Sequence, residues 1–257
     1  SEGKLHSREG VSWQGQRLTT GNMSELLANQ GVSLSGDQLA LGGTVGAGQN
    51  LVIKSKEVMQ SGKLASGQTL NIDTNNLTLQ GETETSVLDI NANGLTVSGK
   101  VRGKDVRLQA DKLNNSGEIQ AGQTLTWQGD ALDNSGNLQG DKQLVLKGAT
   151  LTNKGTLAGG DSLTVQAGKL GNGGRIASQD VALDARQLSS DGTLLGVSRL
   201  TLKGDALVLT GQQLTDGELQ LGSRLLQLSG QTVVGGKAKV VAEQGKFDGL
   251  LKAQSLV

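Results

Sequence analysis

A single histidine, His6, and a complete absence of cysteine narrow the chemistry open to this 257-residue chain. A Ser-His-Asp triad would have to use His6, and no Gly-x-Ser-x-Gly nucleophile elbow accompanies it, so His6 reads as a surface side chain. Metal centres built on several histidines or on thiolates are excluded by count, as are disulfide frameworks and thiol nucleophiles. The remaining candidates are carboxylates: Glu82, Glu84 and Asp89, or Asp105 and Asp111. Residues two apart on a strand share a face, so Glu82 and Glu84 could cooperate in cleaving a glycosidic bond. The bland reading is a solvated corner. The aromatic platforms that sugars stack on are nearly absent, with two tryptophans, one phenylalanine and no tyrosine.

Two glycine-rich stretches fail on inspection. Gly159-Gly160-Asp161 would need a nine-residue period to belong to a calcium-binding repeat, and none exists. Gly171-Asn172-Gly173-Gly174 lacks the following Gly-Lys-Ser/Thr and helix of a phosphate loop. No cofactor is expected. The 24 basic and 24 acidic side chains cancel, and no basic stripe points to nucleic acid. No apolar run approaches the ~18 residues of a membrane span. Ser1-Glu2-Gly3-Lys4 is not a signal peptide.

What would position such residues is a repeat. From Leu113 the chain reads LNNSGEIQAGQTLTWQGDA, then LDNSGNLQGDKQLVLKGAT, LTNKGTLAGGDSLTVQAGK, LGNGGRIASQDVALDARQ and LSSDGTLLGVSRLTLKGDA, in units of 18 or 19 residues. Each holds Leu-x-x-x-Gly-x-[Leu/Ile] and then an alternating apolar pair such as Leu125/Trp127, Leu144/Leu146 or Leu163/Val165. Earlier units start at Leu39, Val58, Leu77 and Leu95. Gly3-Lys4-Leu5 and Val11/Trp13 fit mid-unit, so the chain is expected to begin inside a coil of a longer protein.

Period-two alternation is strand spacing, and one such short unit cannot bury its apolar face alone. Stacked units can, with every strand paired to the coils above and below at about 4.8 Å. The expected fold is an all-β, right-handed parallel β-helix solenoid of about twelve 18–19-residue coils, 55–60 Å long at roughly that rise. The absence of proline suits strands paired on both edges. Asn115, Asn134, Asn153 and Asn172 fall in one column and should form an amide ladder. Gly117, Gly136, Gly155 and Gly174 fall in another and predict a corner with positive φ. Lys63, Glu82, Lys100 and Glu118 should alternate in sign from coil to coil. Trp13 and Trp127 share the column of Ile53, Ile72 and Leu146, a core position, and Phe247 is expected over an open end.

These units resemble the filamentous-haemagglutinin repeats of Gram-negative two-partner-secreted exoproteins, a family of large adhesins and contact-dependent growth-inhibition exoproteins. The resemblance runs from about Gly3 to Val233. It implies a long parallel β-helix that is exported unfolded through an outer-membrane barrel transporter and folds at the outer cell surface. It assigns no catalytic residue here, and neither a secretion domain nor a toxin is recognisable.

A single shaft over 1–232 is expected, interrupted at 22–31 and 207–213, with 233–257 an irregular last coil, cap or transition. Interruptions of a solenoid are where partners tend to bind, so Asn22, Glu25, Asn29, Gln212 and Gln213 are the candidate contacts with a receptor or glycan. Three readings stand in order: a non-catalytic spacer presenting a binding or toxin region; an adhesive segment; a polysaccharide-cleaving β-helix. Cut ends exposing apolar faces predict end-to-end self-association or tails ordered over them.

Overall fold

The computed structural model describes residues 3–257, and every regular element among them is a strand. The strands pair in parallel throughout, each with the strands one coil away. The fold is a β-solenoid. Contacts divide the chain into two units, residues 1–129 and 130–257.

The first coil shows how a turn is built. Three short strands, Lys4–Ser7, Val11–Gln14 and Arg17–Thr20, form three sides before Glu25–Ala28 begins the next coil. In later coils the strand pairing continues through the corners, and the sides join into long bent strands such as Lys63–Leu79 or Arg175–Ser190. In residues 1–129 the first side starts successively at Lys4, Glu25, Thr44, Lys63, Glu82, Lys100 and Glu118. In residues 130–257 it starts at Asn137, Thr156, Arg175, Thr193, Gln212, Gln231 and Leu250. These rungs amount to about thirteen turns against the expected dozen, because residues 207–257 continue the repeat through Gln212, Gln231 and Leu250.

Side chains alternate inward and outward, and the inward columns sort by size. The second side carries two aliphatic columns, with Leu34, Leu51, Ile53, Leu70 and Ile72 essentially sealed from solvent. The corners take small residues. Where the first side ends, Ser7, Ala28, Ala47, Ser66 and Thr85 stack in register, and Gly36, Ser55, Thr74, Ala92 and Ala110 do so after the second side. A narrow, repeating interior filled by branched aliphatics with small corner residues leaves little space for aromatic rings. That is the physical reason the sequence holds so few.

The glycine column works differently from the expectation. No glycine among the described residues has positive φ. Glycine is needed for room: a Cβ on Gly62 would lie 2.0 Å from the Gly43 carbonyl oxygen, and one on Gly155 would lie 2.1 Å from that of Gly136. Neighbouring corners approach so closely that only hydrogen fits.

The expected interruptions also change. In the first, a 21-residue offset holds as far as Thr20 opposite Leu41 and becomes 19 at Glu25 opposite Thr44. The two extra residues therefore lie in 21–24, and 25–31 is regular. The second does not exist. Leu207 pairs with Leu188 and Leu226, and Gln212 with Thr193 and Gln231, at a constant 19. Leu207-Val-Leu-Thr-Gly211 is the ordinary motif with Gln213 where leucine usually stands, and Asp216-Gly217 is its next corner. Nor is 233–257 irregular: it forms most of Gln231–Phe247 and all of Leu250–Leu256, paired in parallel. The remaining irregularities, at 66/69, 178/180 and 234/237, fall at the corner between the first and second sides. One-residue differences in coil length are absorbed there, which keeps the sides in register.

Candidate functional site

The most developed internal arrangement is a column of side-chain amides. Asn134 donates from Nδ2 to Oδ1 of Asn153 at 2.8 Å, and Asn153 donates to Asn172 at 2.8 Å. Asn172 passes the chain to the Ser190 hydroxyl at 3.1 Å, where leucine at 209 ends it. Each amide also bridges backbone: Asn134 Nδ2 lies 3.2 Å from the Gly136 carbonyl and 3.1 Å from that of Thr156, and Asn153 repeats this with Gly155 and Arg175. Asn115 donates to the Gly117 carbonyl at 3.4 Å. All four asparagines are buried. The amide NH2 supplies donors that pin the glycine corner to the coil beyond it, so the asparagine and glycine columns form one device.

One member of this device escaped the sequence reading. Gln60 occupies the asparagine column, between Leu41 and Leu79, and is fully buried. Its Nε2 donates to the carbonyls of Gly62 and Glu82, and its Oε1 accepts from the Gly81 amide. The signal was present: Val58-x-Gln60-x-Gly62 has an amide two residues before the glycine, as does Leu113-x-Asn115-x-Gly117. Ser24 likewise holds a place in the glycine column, its hydroxyl turned back to the Gly21 carbonyl at 2.6 Å.

The predicted contact residues are not brought together. Asn22 lies in the two-residue insertion beside the exposed Met23. Glu25 sits in a regular strand, 2.8 Å from Lys4 Nζ and 3.0 Å from His6 Nε2. The Lys4 hydrogen bond, and then that of His6, holds the Glu25 carboxyl below its ordinary value. Asn29 forms a regular corner whose carbonyl packs against Gly48. Gln212 points outward, whereas Gln213 is buried in the column of Leu194 and accepts from the Thr232 hydroxyl at 2.9 Å. It cannot reach a partner outside the coil.

The carboxylates are surface groups. Glu82 and Glu84 both project outward, and Glu84 is taken by Lys63 at 3.1 Å. Asp89 is 3.5 Å from Arg107. Asp105 and Asp111 stand at opposite ends of the segment Val106–Ala110. The expected sign alternation is oblique: Lys63 reaches past its register neighbour Glu82 to Glu84, and Arg102, not Lys100, meets Glu118 at 3.5 Å. Long side chains lean along the strand, so the diagonal pair is the reachable one. Among the described residues no three His, Asp or Glu side chains cluster as metal ligands, and no helix is long and apolar enough to cross a membrane.

Both tryptophans point inward. Trp127 is buried and donates from Nε1 to the Ala110 carbonyl at 3.2 Å, while Trp13, in the first coil, is half-buried. Each ring lies over a glycine two residues on: a Cβ at Gly15 would meet Trp13 at 2.7 Å, and one at Gly129 would meet Trp127 at 2.9 Å. Phe247 is paired in register with Leu228, half exposed, and its ring covers Gly245 in the same manner. No family model, curated protein or solved structure matches this chain.

Proposed function

We propose that this chain is a non-catalytic spacer: a stretch of β-helical shaft from a large exoprotein of the filamentous-haemagglutinin type, secreted to the outer surface of a Gram-negative bacterium, that carries a receptor-binding or toxin region. The observation that supports it is the unbroken inter-coil register within each unit. Backbone bonds join successive coils within each unit, and apart from the two-residue insertion at 21–24 the differences in length fall at one corner. A solenoid of this kind passes load from rung to rung through a repeating set of hydrogen bonds and resists bending within the unit. The repeat's resemblance to exoprotein shafts supports the parent and the barrel transporter as its export route. The lack of cysteine and proline suits passage as an unfolded chain, since neither disulfides nor slow prolyl isomers delay folding on the far side.

The test exchanges this stretch, within its parent exoprotein, for the same number of coils from an unrelated β-solenoid. A spacer role expects delivery or adhesion to persist, and the isolated chain to show no saturable binding to cells. Saturable binding by the isolated chain, lost on exchange, would establish the adhesive reading instead. Release of reducing ends from polysaccharides, abolished by Glu82→Gln or Glu84→Gln, would establish the enzymatic one.

A further inference from the structure

Within residues 130–257, the outward positions of the first side form two columns. One is polar: Thr156, Arg175, Thr193, Gln212, Gln231. The other is aliphatic: Ala158, Ala177, Leu195, Leu214, Val233, stacked in register on consecutive rungs. Each aliphatic residue lies between two inward-facing neighbours on its strand and is only partly covered. Exposed Val197 flanks the column at the adjoining corner. Across these five rungs the only charged outward side chain is Arg175. The same side of residues 1–129 is instead studded with Lys4, Glu25, Lys63, Glu82, Glu84, Lys100, Arg102 and Glu118.

We propose that this face of residues 130–257 pairs with the same face of a second copy of the chain, with the two solenoid axes antiparallel. The spacing argues for a solenoid partner. The stripe repeats at about 4.8 Å, whereas same-face side chains of an extended peptide laid along it recur at roughly 6.6–6.8 Å and fall out of step. Another stack of coils is commensurate over its whole length, as in paired cross-β faces.

The order of sizes argues for the antiparallel arrangement. A two-fold axis through the Thr193 rung sets Ala158 against Val233, Ala177 against Leu214, and Leu195 against itself, so small side chains meet large ones. The ends agree. Gln139 precedes Ala158 and Lys252 follows Val233 in the column. Antiparallel pairing brings Lys252 over Gln139, which is bonded to Asp141 at 2.9 Å. Parallel pairing would set Lys252 against Lys252. The face covers only about 300 Å² per copy at these spacings, against roughly 800 Å² per partner in a standard interface. The pairing is therefore weak in solution and suited to neighbouring chains crowded side by side.

The chain's lack of cysteine makes covalent trapping clean. Single cysteines are placed at Leu195, Ala158, Val233 and, as a control on another outward face, Gln109; folding of each is checked by circular dichroism. Under mild oxidation, Leu195→Cys should dimerise severalfold more than Gln109→Cys. A mixture of Ala158→Cys and Val233→Cys should give more heterodimer than either gives homodimer. Leu214→Lys should remove the concentration dependence of sedimentation of the otherwise unaltered chain. Dimers at Leu195 no more abundant than at Gln109, Ala158→Cys homodimers equal to the mixed product, or concentration-dependent sedimentation unchanged by Leu214→Lys would each overturn the proposal. The last of these would indicate end-to-end stacking. The proposal concerns a separate surface and does not depend on the spacer role.

Discussion

Asn153 both accepts from Asn134 and donates to Asn172, each at 2.8 Å, in the interior of the coil stack. Removing it takes the donor from the buried Asn172 Oδ1, leaves Asn134 Nδ2 only its two backbone acceptors, and opens a cavity. Asn153→Ala is expected to cost about 2–4 kcal/mol. Leucine at Asn134, Asn153, Asn172 and Ser190 together should be nearly neutral, because leucines 41, 79, 209 and 228 already fill this column elsewhere. Denaturant unfolding of both variants checks the contrast.

The close approach of glycine corners separates two substitutions in the same coil. Gly155→Ala forces a Cβ against the Gly136 carbonyl and should destabilise by about 1–3 kcal/mol. Gly171→Ala meets no atom within 4 Å and has no positive φ to lose, so it should stabilise by roughly 0.5 kcal/mol through the unfolded chain. Thermal unfolding of the pair reads the opposite signs.

Trp127→Ala should cost about 3–5 kcal/mol, and Trp13→Ala clearly less, since only Trp127 is fully buried. Fluorescence offers an independent readout. The emission lost in the Trp127 variant should be the blue-shifted component, and that lost in the Trp13 variant the red-shifted one.

The Lys4–Glu25–His6 contact makes the first coil sensitive to acid. Because the contact favours the charged carboxylate and lowers its folded value, its contribution is complete above the ordinary carboxylate range. It is lost as pH falls through the lowered value. Amide exchange in Lys4–Ser7 should accelerate on acidification beyond the intrinsic trend, and Glu25→Gln should abolish the difference. The groups are exposed, so the effect stays local.

Much of this architecture was legible because each column repeats one requirement. Leu144, Leu163 and Leu200 say "inward" at one place in every coil, and Asn134, Asn153 and Asn172 say "bridge" at another. What misled was substitution within a column. Gln60, Gln213 and Ser24 fill asparagine, leucine and glycine positions, so matching by residue identity invented an interruption at 207–213 and overextended the one at 22–31. Register follows backbone pairing, which tolerates such exchanges. The role of the corner glycines was hidden for another reason: the contact that requires them comes from a carbonyl one coil away, as Gly62 shows against Gly43. The candidate contacts were chosen from supposed loops, and once those became strands Gln213 turned inward.

The most direct test of stacked, interchangeable coils is a pair of deletions in this chain. Removing 44–62, one whole 19-residue period, should place Glu25 against Lys63 and leave a β-rich protein that unfolds cooperatively. Removing 44–52, an odd number of residues, should put inward-facing Ile53 at the outward place of Thr44 and outward-facing Lys54 at the inward place of Val45, and abolish that transition. Equal tolerance of the two deletions, or equal collapse, would contradict the account.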